Sequence, residues 1–462
     1  MRLQVINFIV SPKYFDFTHN WFSYFIILLG NLCRNAWTIV VPCKASNNST
    51  LKTIIYYTLN KKKIINDPIY GFITIHHDIV FDCIQLPEFQ RLRRIKQLGL
   101  THLVYPGALH TRFQHVIGAM HLMDMALKTL RGKGIEISVE EEIGALLAIL
   151  LHDIGHGPFS HSLEHSILTD VHHEHISSAL MQQINAKMEG KLDLAIEIFE
   201  DRYPRKFFHQ LVSSQLDMDR LDYLRRDSFY TGVSEGTVGI ERIIQMLNVR
   251  DNHLIVDQKG IYSVEKFLMA RRFMYWQVYL HKTSIAADTM LLSILRRAKY
   301  LINKDVKLFA SPFLSFFLEN NFRKEDLQRA DVMENFCNLD DNEIISAIKV
   351  WQYAEDKTLS ELCKMIINRN LLKINVVDQA ITAEDVANQK KYVATKLGIS
   401  EEEADYFVAI GKLSNNTYSA DGDSLKIGMK DGGLKELSET SEIYNLSQVN
   451  KPHIKYFITS LK

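Results

Sequence analysis

The run Ile143-Gly144-Ala145-Leu146-Leu147-Ala148-Ile149-Leu150-Leu151 is apolar on every face, and it passes without a break into His152-Asp153-Ile154-Gly155-His156-Gly157-Pro158-Phe159-Ser160-His161. A helix that is hydrophobic all round belongs inside a core, and this one is too short to span a membrane. Its polar end is therefore held where a core opens into a pocket. Gly155 and Gly157 let the chain turn sharply, and Pro158 forbids further helix. Neutral imidazole and carboxylate together suit divalent Zn, Mn, Fe or Mg, so a metal site is the natural chemical reading. A lone His-Asp pair at a helix end is more often two satisfied polar groups. His156 and His161, following at once, favour the metal.

Composition narrows the classes of function. The 462 residues are 47% hydrophobic and 23% charged, ordinary for a globular chain of two or three domains. Lys+Arg and Asp+Glu balance at 54 each, so there is no strong nucleic-acid signal and no field that favours an acidic membrane. Any polyanion must be held by a local basic pocket. Cys33, Cys43, Cys83, Cys337 and Cys363 lack CxxC spacing, which argues against a zinc ribbon or disulfide framework and fits a reducing cytoplasm. In residues 21–41 an aromatic and aliphatic stretch is interrupted by Asn31, Arg34 and Asn35. It reads as a poor membrane segment, an unusual signal, or an extension upstream of the natural start; the third is preferred, and membrane attachment is the minor alternative.

Periodicity beyond Asn60 is mainly helical. After a turn at Asp67-Pro68-Ile69-Tyr70-Gly71 and a short strand at Phe72–Ile75, helices are expected at Pro87–Leu98, His115–Leu130, Glu141–Leu151, Ile176–Ala186, Leu192–Phe199, Phe207–Asp227, Val264–Tyr279 and Ser284–Leu301. Past Asn303 come helices at Asp326–Cys337, Asn342–Glu355, Leu359–Asn368 and Ala383–Gly398. Short strands then follow near Tyr418, Leu425–Met429 and Glu442–Tyr444, with a turn at Asp431-Gly432-Gly433. The expected architecture is mainly α: an extension over residues 1–60, a helical bundle over 61–302, and an appended C-terminal α+β lobe over 303–462.

Two further segments supply ligand types. His115 follows Arg112-Phe113-Gln114 at the start of a helix. Asp219 lies in Leu216-Asp217-Met218-Asp219-Arg220-Leu221-Asp222-Tyr223-Leu224-Arg225-Arg226-Asp227, where several of the charges must be surface or intrahelical pairs. With Asn66–Gly71, Phe89–Gly99, Tyr105–Ala108, Arg112–His115 and His152–His161 in this order, the chain from about Ile64 to Tyr300 resembles the HD-domain phosphohydrolases. More narrowly, it is similar to the branch that contains the SAM-and-HD-domain deoxynucleoside triphosphate triphosphohydrolase and its bacterial relatives. The likeness is to the catalytic HD part only.

That resemblance implies that a divalent metal is held by His115, His152, Asp153 and Asp219, with coordination positions open for catalysis. It makes His156, His161 and His173 active-site histidines, and places Glu164 where the family often has Asp, beside an imidazole that protonates the leaving oxygen. Arg112, Arg220 and Arg271 fall where the family touches the triphosphate. Tyr223, Asp227, Tyr279 and Gln97 fall at or near the sugar, where a tyrosine can reject a 2′-hydroxyl. The implied substrate is a dNTP and the products are deoxynucleoside and triphosphate, the enzyme being dGTP-active or dGTP-activated. The acid that reads guanine at the family's activating site is here Gln85, although Arg93 matches. A regulatory nucleotide and a homo-oligomer are further expectations. The alternatives are an HD-type nucleotidase or phosphodiesterase on another nucleotide, and a non-catalytic nucleotide-binding regulator.

Overall fold

The computed structural model describes residues 37–39, 55–57, 63–159, 171–415, 424–441 and 453–462. The chain divides into two compact units, Met1–Lys63 and Ile64–Lys462. In the first, Trp37–Ile39 pairs antiparallel with Ile55–Tyr57. The remainder of the 21–41 segment lies outside the described residues. Among those described, no helix is long and apolar enough to cross a membrane.

The second unit is a mainly helical bundle built around the Val139–Leu151 helix. Ser138 opens that helix with a reciprocal cap: its hydroxyl accepts from Glu141 N at 3.1 Å, and the Glu141 carboxylate accepts from Ser138 N at 2.9 Å. Three acids in the first turn, Glu140 to Glu142, complement the helix dipole. From Ala145 to Leu151 every residue is buried. This helix packs against Arg112–Gly132 and Asp193–Phe199, and Arg112–Gly132 packs in turn against Met218–Thr231. Each fully buried Leu or Ile contributes about 1.5–3 kcal/mol, so the elements that will carry polar groups are fixed by apolar contact first.

Several helices expected from periodicity are broken or altered, among them Asp326–Cys337, which is a 3-10 turn at Lys324–Gln328 followed by an α-helix at Ala330–Asn338. Pro87–Gln90 is α-helical, Arg91–Arg94 is a 3-10 turn, and Lys96 then bridges to Thr111 as an isolated β-pair. The Phe207–Asp227 pattern splits into Phe207–Val212 and Met218–Thr231, because Asp217 caps the second helix by accepting from Arg220 N at 2.7 Å. The Val264–Tyr279 pattern begins at Ile261, is α-helical to Met274, and closes with a π-helical turn at Tyr275–Tyr279.

Beyond Asn303 the chain alternates helices and small sheets. Lys357–Ile367 packs on Lys282–Ile302, and His453–Ser460 lies between Lys373–Val377 and Ile410–Asn415 in an antiparallel sheet. A second sheet is shared along the chain: Leu247–Arg250 and His253–Asp257 form a hairpin, and Lys426–Gly428 adds to it in parallel. The hairpin turn is Asp251-Asn252, both at positive φ, a conformation Asp and Asn tolerate well. The expected strands at Tyr418 and Glu442–Tyr444 lie outside the described residues. The start of the Asp341–Trp351 helix, capped by Asp340, reaches back to the bundle. Asp341 is buried and accepts from Phe159 N at 3.1 Å and Lys96 N at 3.0 Å, tying the end of the histidine-rich loop to the Arg91–Lys96 segment.

Candidate metal centre and active site

His152 and Asp153 lie where the buried helix ends, and the backbone beyond them is held by close packing. Ser177 donates to His152 O at 2.6 Å and accepts from Gly155 N at 2.9 Å. A Cβ on Gly155 would stand 2.3 Å from both His173 O and Ser177 N, so only glycine lets the His173–Lys187 helix approach this loop. From the other side, the buried Arg91 donates to Ile154 O at 2.7 Å and His156 O at 2.9 Å.

Three elements converge on His152. His115, from the Arg112–Gly132 helix, brings Nε2 within 3.0 Å of Asp219 Oδ1, and Asp219 comes from the first turn of Met218–Thr231. His152 Nε2 stands 3.5 Å from the same oxygen and 3.3 Å from Asp153 Oδ1, while Asp153 Oδ2 is 3.8 Å from His115 Nε2. Both Nε2 atoms are buried and make no directional hydrogen bond. Their Nδ1 atoms do: that of His115 donates to Asp222 Oδ2 at 2.8 Å, and that of His152 to Ile149 O at 2.7 Å. With Nδ1 holding one proton, each ring points its Nε2 at two carboxylates, a place that only a second proton or a cation can fill. Orphaned acceptors at full burial are costly, and a divalent cation removes that cost. The donor set fits Zn, Mn, Fe or Mg as the sequence suggested.

Charge follows geometry. Burial alone would disfavour a charged imidazole, but the adjacent Asp219 and Asp222 carboxylates raise His115 to about 10. Burial also works against ionised Asp219, yet His115 and His152 hold it well below the usual carboxylate range. Without a cation, a proton sits among these groups. Divalent metal and proton compete for the same place.

Asp153, His156 and His173 form a second cluster. Asp153 Oδ1 is 3.2 Å from His156 Nε2, and the His156 and His173 rings stack with centroids 3.8 Å apart. Arg112 Nη1 stands 2.5 Å from Asp153 Oδ2. That guanidinium opposes a second cation there and suits the side of the site that meets an anion. Burial and then Arg112 hold His156 well below the ordinary imidazole range, so it is neutral. His161 and Glu164 lie outside the described residues.

Both clusters open on a cavity of about 1170 Å³. Gln97, Arg112, His152, Asp153, His156, His173, Asp219, Arg220, Tyr223, Asp227 and Tyr279 all line it. His115 stands behind this wall. Arg271 is buried and is not on the wall: its guanidinium lies 5.8 Å from the Tyr275 ring, with Nε and Nη1 unpartnered. Arg220 donates through Nε to Ser214 O at 2.5 Å and Asp217 Oδ2 at 3.0 Å. Asp227 is engaged at both oxygens, by Tyr279 OH at 2.7 Å and by His110 Nε2 at 2.7 Å. Tyr279 ends the π-helical turn, a local irregularity frequent at functional sites. His110, Asp222 and Arg226 were missed as site residues. Their signal lay in the same two motifs, since His110 starts the segment that ends at His115, and Asp222 and Arg226 follow Asp219 at helical spacing.

Imidazole and carboxylate donors at the end of a buried helix, beside arginines at a large cavity, define a phosphohydrolase-type site. Residues 112–225 match the HD domain and residues 238–309 the HD associated region. The uncharacterized protein YwfO of Bacillus subtilis is 35% identical, the match covering 68% of this chain and 72% of that protein. The crystal structure of a phosphohydrolase from Bacteroides thetaiotaomicron superposes with a TM-score of 0.84 at 51% identity, covering 87% of this chain and all of that one. Human deoxynucleoside triphosphate triphosphohydrolase SAMHD1 is 26% identical over 70% of this chain and 56% of its own. The chain belongs to the HD-domain phosphohydrolases, enzymes that hydrolyse phosphoric esters.

Proposed function

We propose that the chain is a divalent-metal-dependent deoxynucleoside triphosphate triphosphohydrolase that converts a dNTP and water to deoxynucleoside and triphosphate. The observation that carries this reading is the pairing of two orphaned, buried imidazole nitrogens, on His115 and His152, with Asp219 and Asp153 at the edge of a cavity lined by Arg112, Arg220 and Tyr223. The similarity to human SAMHD1 supports the choice of substrate.

His115, His152, Asp153 and Asp219 would hold the cation. When bound, it supplies Lewis-acid polarisation of a phosphoryl oxygen. Arg112 and Arg220 bind the phosphate chain and stabilise the charge that develops on it. Neutral His156 is a hydrogen-bonding wall rather than a proton donor. His173 or His161 protonates the departing 5′ oxygen, with Glu164 assigned as the carboxylate partner by the family resemblance. Gln97, Tyr223, Asp227 and Tyr279 hold the sugar, and the anchored Tyr279 ring rejects a 2′-hydroxyl by bulk. A homo-oligomer and a regulatory nucleotide belong to the same reading. The test is turnover of each dNTP by Mn²⁺-loaded protein, with and without a second dNTP. His152→Ala and Asp153→Ala should lose metal and turnover together, and variants that lose metal but keep full turnover would overturn the reading.

A further inference from the structure

The turn Asp67-Pro68-Ile69-Tyr70 has no part in the reaction as described, yet its aspartate is only 6% exposed. Asp67 Oδ1 accepts from Ile69 N at 2.8 Å and Tyr70 N at 3.1 Å, the local pattern of an aspartate that opens a turn. Its Oδ2 faces inward and accepts from Arg226 Nη1 at 2.8 Å. Arg226 then grips Asp222 through two bonds, Nε to Oδ2 and Nη2 to Oδ1, each 2.9 Å. Asp222 in turn takes the Nδ1 proton of His115 at 2.8 Å. Both Asp222 and Arg226 are wholly buried. Gly118 makes room for them: a Cβ there would stand 2.1 Å from Asp222 Oδ1 and 2.2 Å from Arg226 Nη2.

We propose that Asp67, Arg226 and Asp222 are a relay of positioning residues that fixes the His115 ring, keeps its Nε2 free for a cation, and sets the metal affinity of the site. The inference rests on the metal-centre reading above. A carboxylate on Nδ1–H selects the tautomer that leaves Nε2 as a lone pair and increases its donor strength. Asp222 alone would be an uncompensated buried charge, and Arg226 satisfies both of its oxygens. Asp67 completes the arginine and keeps it from neutralising Asp222 outright. A turn far upstream in sequence thereby acts on the metal site through side chains alone.

The test uses the full chain, stripped of metal and titrated with Co²⁺, reading the dissociation constant and the visible absorption of the Co²⁺ form. Asp222→Asn should weaken binding by about 10–100-fold and shift the Co²⁺ bands, because an amide N–H turned toward His115 inverts the tautomer. Asp67→Asn keeps the acceptor that the turn needs, so it folds even where Asp222→Asn does not. It should move affinity and spectrum in the same direction by less. The melting temperature of the metal-free protein reads the purely structural component. If the folded variants bind Co²⁺ with wild-type affinity and an unchanged spectrum, whatever their melting temperature, the relay is overturned. Wild-type protein that takes up no Co²⁺ overturns the metal-centre reading itself.

Discussion

Nε2 of His115 and of His152 are buried beside Asp219 with no hydrogen bond to offset their desolvation, and this imbalance sets the behaviour of the site without metal. His115 is raised from 6.5 to about 10. A group raised on folding contributes stability that is full below its unfolded value and lost as pH climbs through its folded one. The melting temperature of metal-free protein should therefore fall as pH rises from 6.5 toward 10, and saturation with a divalent cation, which replaces the proton, should flatten that fall. Calorimetry in chelator and in metal checks it; identical slopes would contradict the assignment. At the sugar side, Tyr279→Phe leaves Asp227 Oδ2 without its donor and frees the ring. The ratio of kcat/KM for a dNTP over its ribonucleotide should drop by about tenfold, equivalent to ~1.4 kcal/mol. An unchanged ratio would remove Tyr279 from sugar selection. His152 and Asp153 stood out in the sequence as candidate ligands because they close an apolar run, whereas Asp219 became a candidate through the family resemblance, its charged segment alone having the look of a solvated face. Asp222 did not stand out, because an acid four residues before Arg226 on a helix has the spacing of an ordinary surface ion pair. Only tertiary packing shows that this pair is buried.

The Val139–Leu151 helix carries no reacting atom beyond its end, and its contribution is position. Leu147→Ala removes a wholly buried side chain and should destabilise the protein by about 2–5 kcal/mol. The metal dissociation constant of the folded fraction should stay at the wild-type value, since the His152, Ile154 and His156 carbonyls that shape the loop are held by Ser177 and Arg91. Denaturant unfolding and a Co²⁺ titration separate the two effects; a large loss of affinity with little loss of stability would contradict this division. Helices were legible where an apolar stripe persists, and their ends were not. Phe207–Asp227 reads as one helix because the stripe crosses the break, while Asp217, whose cap forms the break, looks like one more charge in an acidic run. The Leu247–Asp257 hairpin escaped for a related reason: Asp251-Asn252 lacks the glycine that marks such turns most clearly.

Over the whole molecule, the C-terminal half supports the site without lining most of it. Lys426–Gly428 extends the hairpin at Leu247–Asp257, and Asp341 holds Phe159 and Lys96. A lobe that reads in sequence as an appendage is joined to the helical bundle by a sheet and by buried polar contacts. Such long-range pairing leaves no trace in local periodicity. Which bond of the substrate breaks is reported directly by the inorganic product. Metal-loaded protein is incubated with a dNTP, and the products are resolved by ³¹P NMR. Attack at the α-phosphorus with departure of the 5′ oxygen predicts deoxynucleoside and intact triphosphate. Pyrophosphate with deoxynucleoside monophosphate, or orthophosphate with the diphosphate, would contradict it.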